Sequence, residues 1–498
     1  MKNGKYTVNS EDVEGSLACC GSTNNRMPQY LAAATVTIGG FSLGNVLGWS
    51  SPAIPNLTNS GDFPDIQNYQ KAWIGSLVTI GALVGACCSG FLIEKIGRKK
   101  SLIVVGIPYI TGWLTIALAS QIYMLYIGRF LTGFSVGALS LVAPVYLCEI
   151  SQSDIRGFLG AIFQVTVTVG ILFTFVIGSM TSWQLLSATC GIFPLIFTIF
   201  SSLLPESPRY LIAKGRSEAA LKALSWLRAS DSTNPSKDVL EELDEIQGTI
   251  QHGKELQLKY LDLISLPILK PILITLGLMF FNQFCGSNAV GFYTVTIFEE
   301  ADLGMDAHLS SIIVGVVQVV ATALASAFVD KAGRRILLLL SFTIMCISLL
   351  ALGTFFHLKN ASYGQFLLES THWIPLASVM AFNAAYCGGV GCLIWTVMSE
   401  LLPNHVIGFA SGLATTFNWT LAFVTTRFFQ DLNDSLGIHN TFFLFAGACS
   451  AAVLFIYVFV PETKGKTLDT IQKENFQHKG SRSAEDIASV ASSTTNLV

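Results

Sequence analysis

Twelve long apolar stretches, separated by polar segments, run through this chain of 498 residues. Each is about 20 residues long or longer, the length that an α-helix needs to cross the hydrocarbon layer of a membrane. Helices are expected because lipid offers no partner to an unpaired backbone group, whereas a β-barrel shows short alternating segments. The predicted spans cover residues 30–50, 73–93, 101–121, 124–148, 158–179, 184–204, 269–294, 310–330, 335–356, 373–399, 405–428 and 440–460.

The composition also indicates an integral membrane protein. Charged residues make up 12% of the chain and hydrophobic residues 51%, whereas a soluble protein has about 25% charged residues. The mean hydropathy of +0.56 excludes an ordinary soluble enzyme and a disordered chain. The net charge of −3 gives no electrostatic reason to expect nucleic acid as a partner. The lipid bilayer is therefore the predicted environment.

The distribution of lysine and arginine predicts the orientation of the spans. With both termini in the cytoplasm, the cytoplasmic segments hold 25 of the 29 basic residues, in agreement with the positive-inside rule. Three Asn-X-Ser/Thr sequons, at Asn56, Asn360 and Asn433, then fall in predicted outside loops and are candidate glycosylation sites. The predicted location is the plasma membrane, while a vacuolar or lysosomal membrane would give the same pattern.

Matching segments divide the chain into two repeated halves. GRKK (97–100) follows the second span, and GRR (333–335) follows the eighth span 236 residues later. In the same way, PESPR (205–209) follows the sixth span and PETKG (461–465) follows the twelfth. Parallel repeats of this kind are typical of transporters that work by alternating access.

The predicted fold class is an all-α integral membrane protein with twelve transmembrane helices in two six-helix halves and a small cytoplasmic helical bundle between them. Apolar residues at helical spacing predict two helices in that bundle, over 217–229 and 237–253. The predicted domains are a cytoplasmic N-terminal tail (1–28), a first half (29–204), a cytoplasmic linker (205–267), a second half (268–460) and a cytoplasmic C-terminal tail (461–498).

Several motifs occur in an order that resembles a known family. They are GFLIEKIGRK (90–99), GRFLTGFSVG (128–137), PVYLCEIS (144–151), PESPRYL (205–211) and PETKGKTLD (461–469). Together they resemble the sugar porters of the major facilitator superfamily over about residues 28–475. SPA (51–53) and FNWT (417–420) are most similar to the trehalose-transporting branch. The resemblance implies the major facilitator fold and transport of a sugar.

A site for a neutral, hydroxyl-rich sugar needs groups that both donate and accept hydrogen bonds, together with flat aromatic faces. The resemblance implies that Gln164, Gln283, Asn288, Trp395 and Asn418 contact the sugar. The alternative for each amide is a hydrogen bond between helices. The predicted substrate-binding residues are the membrane-depth amides Gln164, Asn282, Gln283, Asn288, Gln318 and Asn418, with Trp395 and Trp419.

Span seven carries two further features. Gln283 and Asn288 are five positions apart and do not share one face of an ideal helix, so a break at Gly286 would help both to point inward. Phe292 and Tyr293 resemble the outer aromatic gate of the family. An aromatic residue near a span end is as often an anchor at the membrane interface.

Charged residues gather at the predicted inner ends of the spans. In the sugar porters such residues form an inner network that locks the outward-open state. We expect Arg98 to pair with Glu149, and Arg335 with Glu400, because acids at span ends rarely persist without partners. The alternative is a set of solvated, orientation-setting charges. The residues assigned to the network are Arg98, Glu149, Arg156, Glu206, Arg209, Arg334, Arg335, Glu400 and Glu462.

No Asp or Glu falls in the middle of a predicted span. A carrier coupled to protons or sodium needs an ionisable group or an oxygen cage at that depth. Proton-coupled sugar porters carry an acid in span one, and the matching stretch TIGGFSLGNVLGW (37–49) has none. Arg129 in span four matches the arginine of those porters, but without the acid as its partner it is expected to have a structural role. The prediction is a uniporter for trehalose or a hexose such as glucose, not an enzyme, with no cofactor and no metal site.

Span ten departs from the family pattern. Cys392 and Ile394 stand where glucose-transporting members have proline, and Cys387 stands where they have a sugar-binding glutamate. The glycines at 388, 389 and 391 are expected to provide the helix break that prolines usually give. These changes leave open a non-transporting sugar sensor of the same fold, or a carrier of another neutral polyol.

Overall fold

The computed structural model describes residues 26–63, 66–231, 233–255, 266–302, 304–360, 371–402 and 407–462. Most of both predicted tails and part of the linker therefore lie outside the described residues. The described part contains helices and the turns that connect them. The end of the bundle where the first helix begins and the last helix ends is called the terminal face below, and the opposite end the distal face.

The first half consists of six long helices that match the first six predicted spans. All of them extend beyond the apolar runs at one or both ends, α6 by a single residue, and α1 continues through Pro52 and Pro55. The helices are α1 (Met27–Asn59), α2 (Asn68–Ile96), α3 (Arg98–Ala117), α4 (Ile122–Ile150), α5 (Ser153–Met180) and α6 (Trp183–Ser201).

Glycines allow these helices to approach closely. A methyl group at Gly137 of α4 would lie 1.9 Å from the backbone oxygen of Ala82 on α2. Likewise, a methyl group at Gly44 of α1 would lie 1.9 Å from the backbone oxygen of Val167 on α5. Backbone contact through small residues is the usual way in which membrane helices pack.

The second half contains the remaining six spans, two of which are interrupted. Its helices are α10 (Leu266–Phe284), α11 (Ser287–Phe292), α12 (Thr294–Ala301), α13 (Ala307–Ala332), α14 (Arg334–Asn360), α15 (Trp373–Ala385), α16 (Gly391–Leu401), α17 (Ile407–Leu436) and α18 (Ile438–Phe459). The chain does break at Gly286, the position where a break would help Gln283 and Asn288 to point inward, because this residue has φ +82 between α10 and α11. In span ten, the chain between α15 and α16 forms a π-helical turn, Tyr386–Val390, instead of an open break.

The two halves have separate apolar cores. Trp49, Trp113 and Phe197 lie in the first core, and Phe342, Phe442 and Phe445 lie in the second. Helix α1 contributes to both, since Leu47 packs against each core and Ile54 is buried in the second. Among the described residues, α1 is thus the first-half helix that enters the core of the second half.

Three helices between the halves form a small bundle at the terminal face: α7 (Pro208–Ala213), α8 (Ser217–Leu227) and α9 (Lys237–Glu255). Both predicted linker helices are present, and α7 is an additional one. Leu211, Leu224 and Leu243 form its core. Arg228 binds Glu242 through two hydrogen bonds and donates a third, of 3.1 Å, to the backbone oxygen of Ile150. This contact fastens the bundle to α4.

Eleven of the described helices are long and apolar enough to span a membrane. The remaining predicted span, 405–428, is matched by α17, which has 30 residues and carries Asn418, Thr425 and Thr426 within it. All three sequon asparagines were expected in loops, and the structure corrects this. Asn56 lies in α1, Asn360 ends α14 and Asn433 lies in α17, because these helices continue beyond the apolar runs.

Candidate functional site

Amide side chains from α10, α11 and α17 form a hydrogen-bonded cluster in the second half. Oδ1 of Asn418 accepts bonds of 2.9 Å from Gln283 and 3.1 Å from Asn282. Oε1 of Gln283 accepts a bond of 2.6 Å from Asn288, which lies beyond the break at Gly286. The helix break therefore brings Asn288 back to Gln283, although the two would diverge on a continuous helix.

The amide cluster has polar atoms left over. Oδ1 of Asn282 and Nε1 of Trp419, one position after Asn418, are buried without a hydrogen-bond partner in the described part of the chain. Buried polar groups are normally paired. A ligand with several hydroxyl groups can pair both kinds of atom, since a hydroxyl donates and accepts.

Gln318 lies apart from this cluster. Its Nε2 donates a bond of 2.6 Å to Oδ1 of Asn383, and its own Oε1 is buried and unpaired. Asn383 in turn donates to the backbone oxygen of Val379. Sequence reasoning missed Asn383, although it is an amide at apolar depth in a predicted span. The bond from Gln318 to Asn383 joins α13 and α15, as expected if Gln318 holds two helices together. The unpaired Oε1 of Gln318 is what a residue that contacts a ligand would show.

The other predicted site residues occupy both halves. Gln164 is half-buried on α5 and shares no hydrogen bond with the amide cluster among the described residues. Trp395 packs against the core of the second half. Trp419, although it belongs to the second half, packs against the core of the first. The aromatic faces therefore lie on opposite sides of the junction between the halves.

The residues predicted to form an aromatic gate lie at the distal face. Phe292 and Tyr293 are both buried, and the ring of Tyr293 stacks on Phe429 at 5.2 Å. The Tyr293 hydroxyl lies 3.2 Å from the position of a methyl group at Gly75 of α2. Next to the gate, the backbone N–H of Val295 donates a bond of 3.1 Å to the Ser51 hydroxyl of α1. These contacts bring the two halves together at the distal face.

At the terminal face, Arg98 and Glu149 form the predicted ion pair at 2.7 Å. Ser207 also donates to the Glu149 carboxylate. Oε1 of Glu206 accepts bonds from the backbone N–H groups of Arg98 and Lys99, at 2.8 and 3.0 Å. A carboxylate there stabilises α3, because the first N–H groups of a helix lack partners and carry partial positive charge.

The second half repeats this arrangement with one correction. Glu462 accepts from the backbone N–H groups of Arg334 and Arg335, at 3.0 and 3.2 Å, as Glu206 does in the first half. However, Glu400 pairs with Arg334, at 3.3 Å, and not with Arg335 as expected. The Arg335 guanidinium instead donates to the backbone oxygen of Tyr457 and lies 5.6 Å from its ring.

The remaining members of the predicted network are less connected. Arg156 donates to the backbone oxygen of Ser151 at 3.4 Å, and Arg209 is exposed. Neither forms an ion pair with another described residue. Every ion pair between described residues joins groups of the same half or of the linker.

Arg129 is buried in the first half. It donates to the backbone oxygens of Ile74 and Val46, at 3.1 and 3.2 Å, and to the Ser50 hydroxyl. Its guanidinium lies 4.8 Å from the ring of Trp49. These contacts tie α4 to α1 and α2, in agreement with the expected structural role.

Two repeated six-helix bundles that span a membrane define a twelve-helix membrane carrier of the major facilitator fold. The family model described as "Sugar (and other) transporter" matches residues 19–474. The chain belongs to this family, as the sequence motifs predicted.

Individual relatives and solved structures agree with this assignment. The chain is 38% identical over 471 residues to the facilitated trehalose transporter Tret1 of Polypedilum vanderplanki, covering 93% of this chain and 92% of that protein. It is 39% identical over 452 residues to Tret1 of Culex quinquefasciatus, covering 90% and 85%. The inward-open xylose transporter XylE from E. coli matches with a TM-score of 0.74 and 23% identity, covering 89% of this chain and 99% of that one. This last similarity concerns the fold alone.

Proposed function

We propose that this protein is a facilitative sugar carrier that moves trehalose, or a hexose such as glucose, by alternating access. The observation that carries the proposal is the amide cluster of Asn282, Gln283, Asn288 and Asn418, which keeps a buried acceptor and a nearby indole donor unpaired. A sugar hydroxyl can satisfy both. The trehalose-transporter relatives support the disaccharide as the first substrate to test.

The polar groups within the spans support transport without ion coupling. Among the described residues, Arg129 is the one buried side chain that carries a charge, and its hydrogen bonds go to uncharged oxygens. A proton-coupled carrier needs an ionisable group that gains and loses its proton at membrane depth. The side chain that accepts a hydrogen bond from Arg129 at this depth is the Ser50 hydroxyl, which is not such an ionisable group. We therefore assign uniport driven by the sugar gradient.

The contacts between the halves support an inward-facing arrangement. At the distal face, Tyr293 and Val295 meet α2 and α1. Toward the terminal face, methyl groups at Gly157, Gly160 and Gly412 would have no atom within 4 Å. We assign the terminal face to the cytoplasm and the carrier to the plasma membrane, with both termini cytoplasmic and the domain boundaries given above. The Arg98–Glu149 and Arg334–Glu400 pairs are assigned to the inner lock.

The test is uptake of radiolabelled trehalose and glucose into proteoliposomes of the purified protein, with and without an imposed proton gradient. Saturable uptake that ignores the gradient is the expected result. Gln283→Ala should abolish it, whereas Gln430→Ala, which removes a half-buried amide of α17 that bonds to Asp434, should leave it intact. Uptake that follows the gradient would contradict uniport. Binding of sugar without any uptake would instead support a sensor of the same fold.

A further inference from the structure

Arg129 lies in an environment that does not balance its charge. Three of its N–H groups donate to the backbone oxygens of Ile74 and Val46 and to the Ser50 hydroxyl, whereas a guanidinium has five such groups. Among the described residues, no carboxylate lies within ion-pair distance of it. An unpaired charge is costly to bury, even when neutral dipoles solvate it in part.

Trp49 lies against Arg129 and packs edge to face against Trp113. The ring centroids of Trp49 on α1 and Trp113 on α3 are 6.4 Å apart. Nε1 of Trp49 donates a bond of 2.9 Å to the Ser187 hydroxyl of α6. On the other side, Trp113 packs against Gly191 of α6, where an added methyl group would lie 3.1 Å from its Cβ. The helices α1, α3 and α6 therefore meet beside the guanidinium.

One helical turn closer to the terminal face, the same helices place three more polar groups at one level. Asn45 precedes Trp49 by one turn on α1, and Tyr109 precedes Trp113 by one turn on α3. Cys190 follows Ser187 by one turn on α6, which runs in the opposite direction. The Cys190 thiol is fully buried in the core of the first half, as Tyr109 is.

Most of these groups have no hydrogen-bond partner. Nδ2 and Oδ1 of Asn45, the Tyr109 hydroxyl and Nε1 of Trp113 are all unpaired within the described part of the chain. All three side chains are at least 99% buried. The indole N–H and the amide NH₂ are donors, and the phenol and the thiol can donate as well. The set is thus rich in donors and lies next to an unneutralised cation.

We propose that Asn45, Tyr109, Trp113, Arg129 and Cys190, where α1, α3, α4 and α6 meet, form a binding site for a small monovalent anion of the halide class. One negative charge balances the guanidinium. A monoatomic anion also accepts hydrogen bonds from any direction and needs no donor of its own. A water molecule would pair the same atoms but would leave the charge of Arg129 unbalanced. The site lies inside the first half, apart from the amide cluster.

The test uses the purified full-length protein in detergent and bromide as the probe. Thermal unfolding is followed by intrinsic tryptophan fluorescence while sodium bromide replaces sodium gluconate at constant ionic strength. We expect a saturable rise of the unfolding midpoint with bromide. The double variant Tyr109→Phe/Trp113→Phe keeps an aromatic ring at each position and removes two donors. Its half-saturating bromide concentration should rise at least about tenfold, because each hydrogen bond to an ion is strong.

A second pair of variants acts through charge. Ser50→Asp places a carboxylate beside Arg129 and should abolish the bromide response, while Ser50→Asn, which adds no charge, should retain it. Tyr123→Phe is the control for loss of a phenol, since Tyr123 is exposed at the start of α4. Anomalous scattering from bromide should place the ion beside Arg129. Equal midpoints in bromide and gluconate, or a bromide response that Ser50→Asp leaves unchanged, would overturn the proposal.

Discussion

The amide of Gln283 donates a hydrogen bond of 2.9 Å to Oδ1 of Asn418. This bond connects the end of α10, just before the break at Gly286, to the middle of α17. Because Asn418 also accepts from Asn282, its single oxygen fixes two side chains of the proposed sugar site. The proposed sugar site and the packing of the two helices therefore depend on the same atom.

Asn418→Ala should lower both stability and transport. Two buried donors lose their acceptor, and at about 1 kcal/mol for each bond the free energy of unfolding should fall by about 2 kcal/mol. Sugar uptake should be lost at normal surface expression. Asn440→Ala is the matched control, because Asn440 is exposed at the start of α18 and bonds only to the backbone of Leu436. Uptake at the wild-type rate in Asn418→Ala would remove this residue from the site.

Glu400→Ala should shift the carrier toward the inward-open state, because the inner charge network to which Glu400 is assigned is proposed to lock the outward-open state. The variant breaks the 3.3 Å pair with Arg334 that links α14 and α16 at the terminal face. The pair is partly exposed, so we expect an effect of about 0.5–1 kcal/mol, or about two- to fivefold in the ratio of states. The measurement is the rate at which maleimide labels the exposed Cys148, followed by peptide mass spectrometry.

The control for Glu400→Ala is Glu241→Ala, which removes an exposed pair with Lys237 in the linker. If Glu400→Ala leaves both the labelling rate of Cys148 and the sugar affinity unchanged, the Glu400–Arg334 pair does not influence the balance between the inward-open and outward-open states.

The sequence predicted the spans and the broken helix well, because both depend on local chemistry. Apolar runs specify the spans, and Gly286 can adopt the positive φ that ends α10. The partner of Glu400 was wrong because Arg334 and Arg335 are adjacent and equal in charge. Helix α14 starts at Arg334, and the backbone N–H groups of Arg334 and Arg335 both bond to Glu462. This placement of the helix start decides which of the two guanidinium groups reaches Glu400. Such a choice depends on the positions of three helices, which no local pattern contains.

The sequons failed as loop markers for a related reason. The sequon asparagines do lie beyond the ends of the apolar runs. The sequence pattern could not show that the helices continue past those ends and include these asparagines. The helix α1 passes through Pro52, which packs against Gly178 of α5, and reaches Asn59. Asn45 and Asn383 were overlooked because a single amide in an apolar run gives no sign of whether its partners are present.

Asn360 should be the sequon that carries a glycan. It is exposed at the distal end of α14. By contrast, Asn56 is half-buried, and its Oδ1 accepts from the backbone N–H of Trp183. In cells, Asn360→Gln should therefore remove the mobility shift produced by a peptide N-glycosidase, while Asn56→Gln should preserve it. A shift that persists in Asn360→Gln would assign the glycan to another asparagine.

Gly137→Ala should destabilise the first half. The new methyl group would lie 1.9 Å from the backbone oxygen of Ala82, so α2 and α4 must separate. Overpacking of this kind costs about 1–3 kcal/mol. Thermal unfolding in detergent should therefore begin at a lower temperature. Gly447→Ala in α18 is the control, since its methyl group would meet no atom within 4 Å. Equal unfolding temperatures for the two variants would show that α2 and α4 can move apart at no cost.

Cys387→Glu should shift the preference of the carrier from trehalose toward hexoses. Cys387 is buried in the π-helical turn between α15 and α16, one turn after Asn383. Asn383 accepts a hydrogen bond from Gln318 of α13, whose own Oε1 is buried and unpaired in the described part of the chain. A glutamate there adds a strong acceptor for sugar hydroxyls and fills space that a second sugar ring would need.

The ratio of kcat/KM for glucose to that for trehalose should rise about tenfold in Cys387→Glu, because a charged acceptor contributes about 1.5–3 kcal/mol to a buried hydrogen bond. Cys387→Leu adds bulk without an acceptor. It should reduce trehalose uptake and give no gain for glucose. Competition by a panel of unlabelled sugars in proteoliposomes measures both effects. If the two variants behave alike, the side chain at this position limits the size of the sugar but does not bind it.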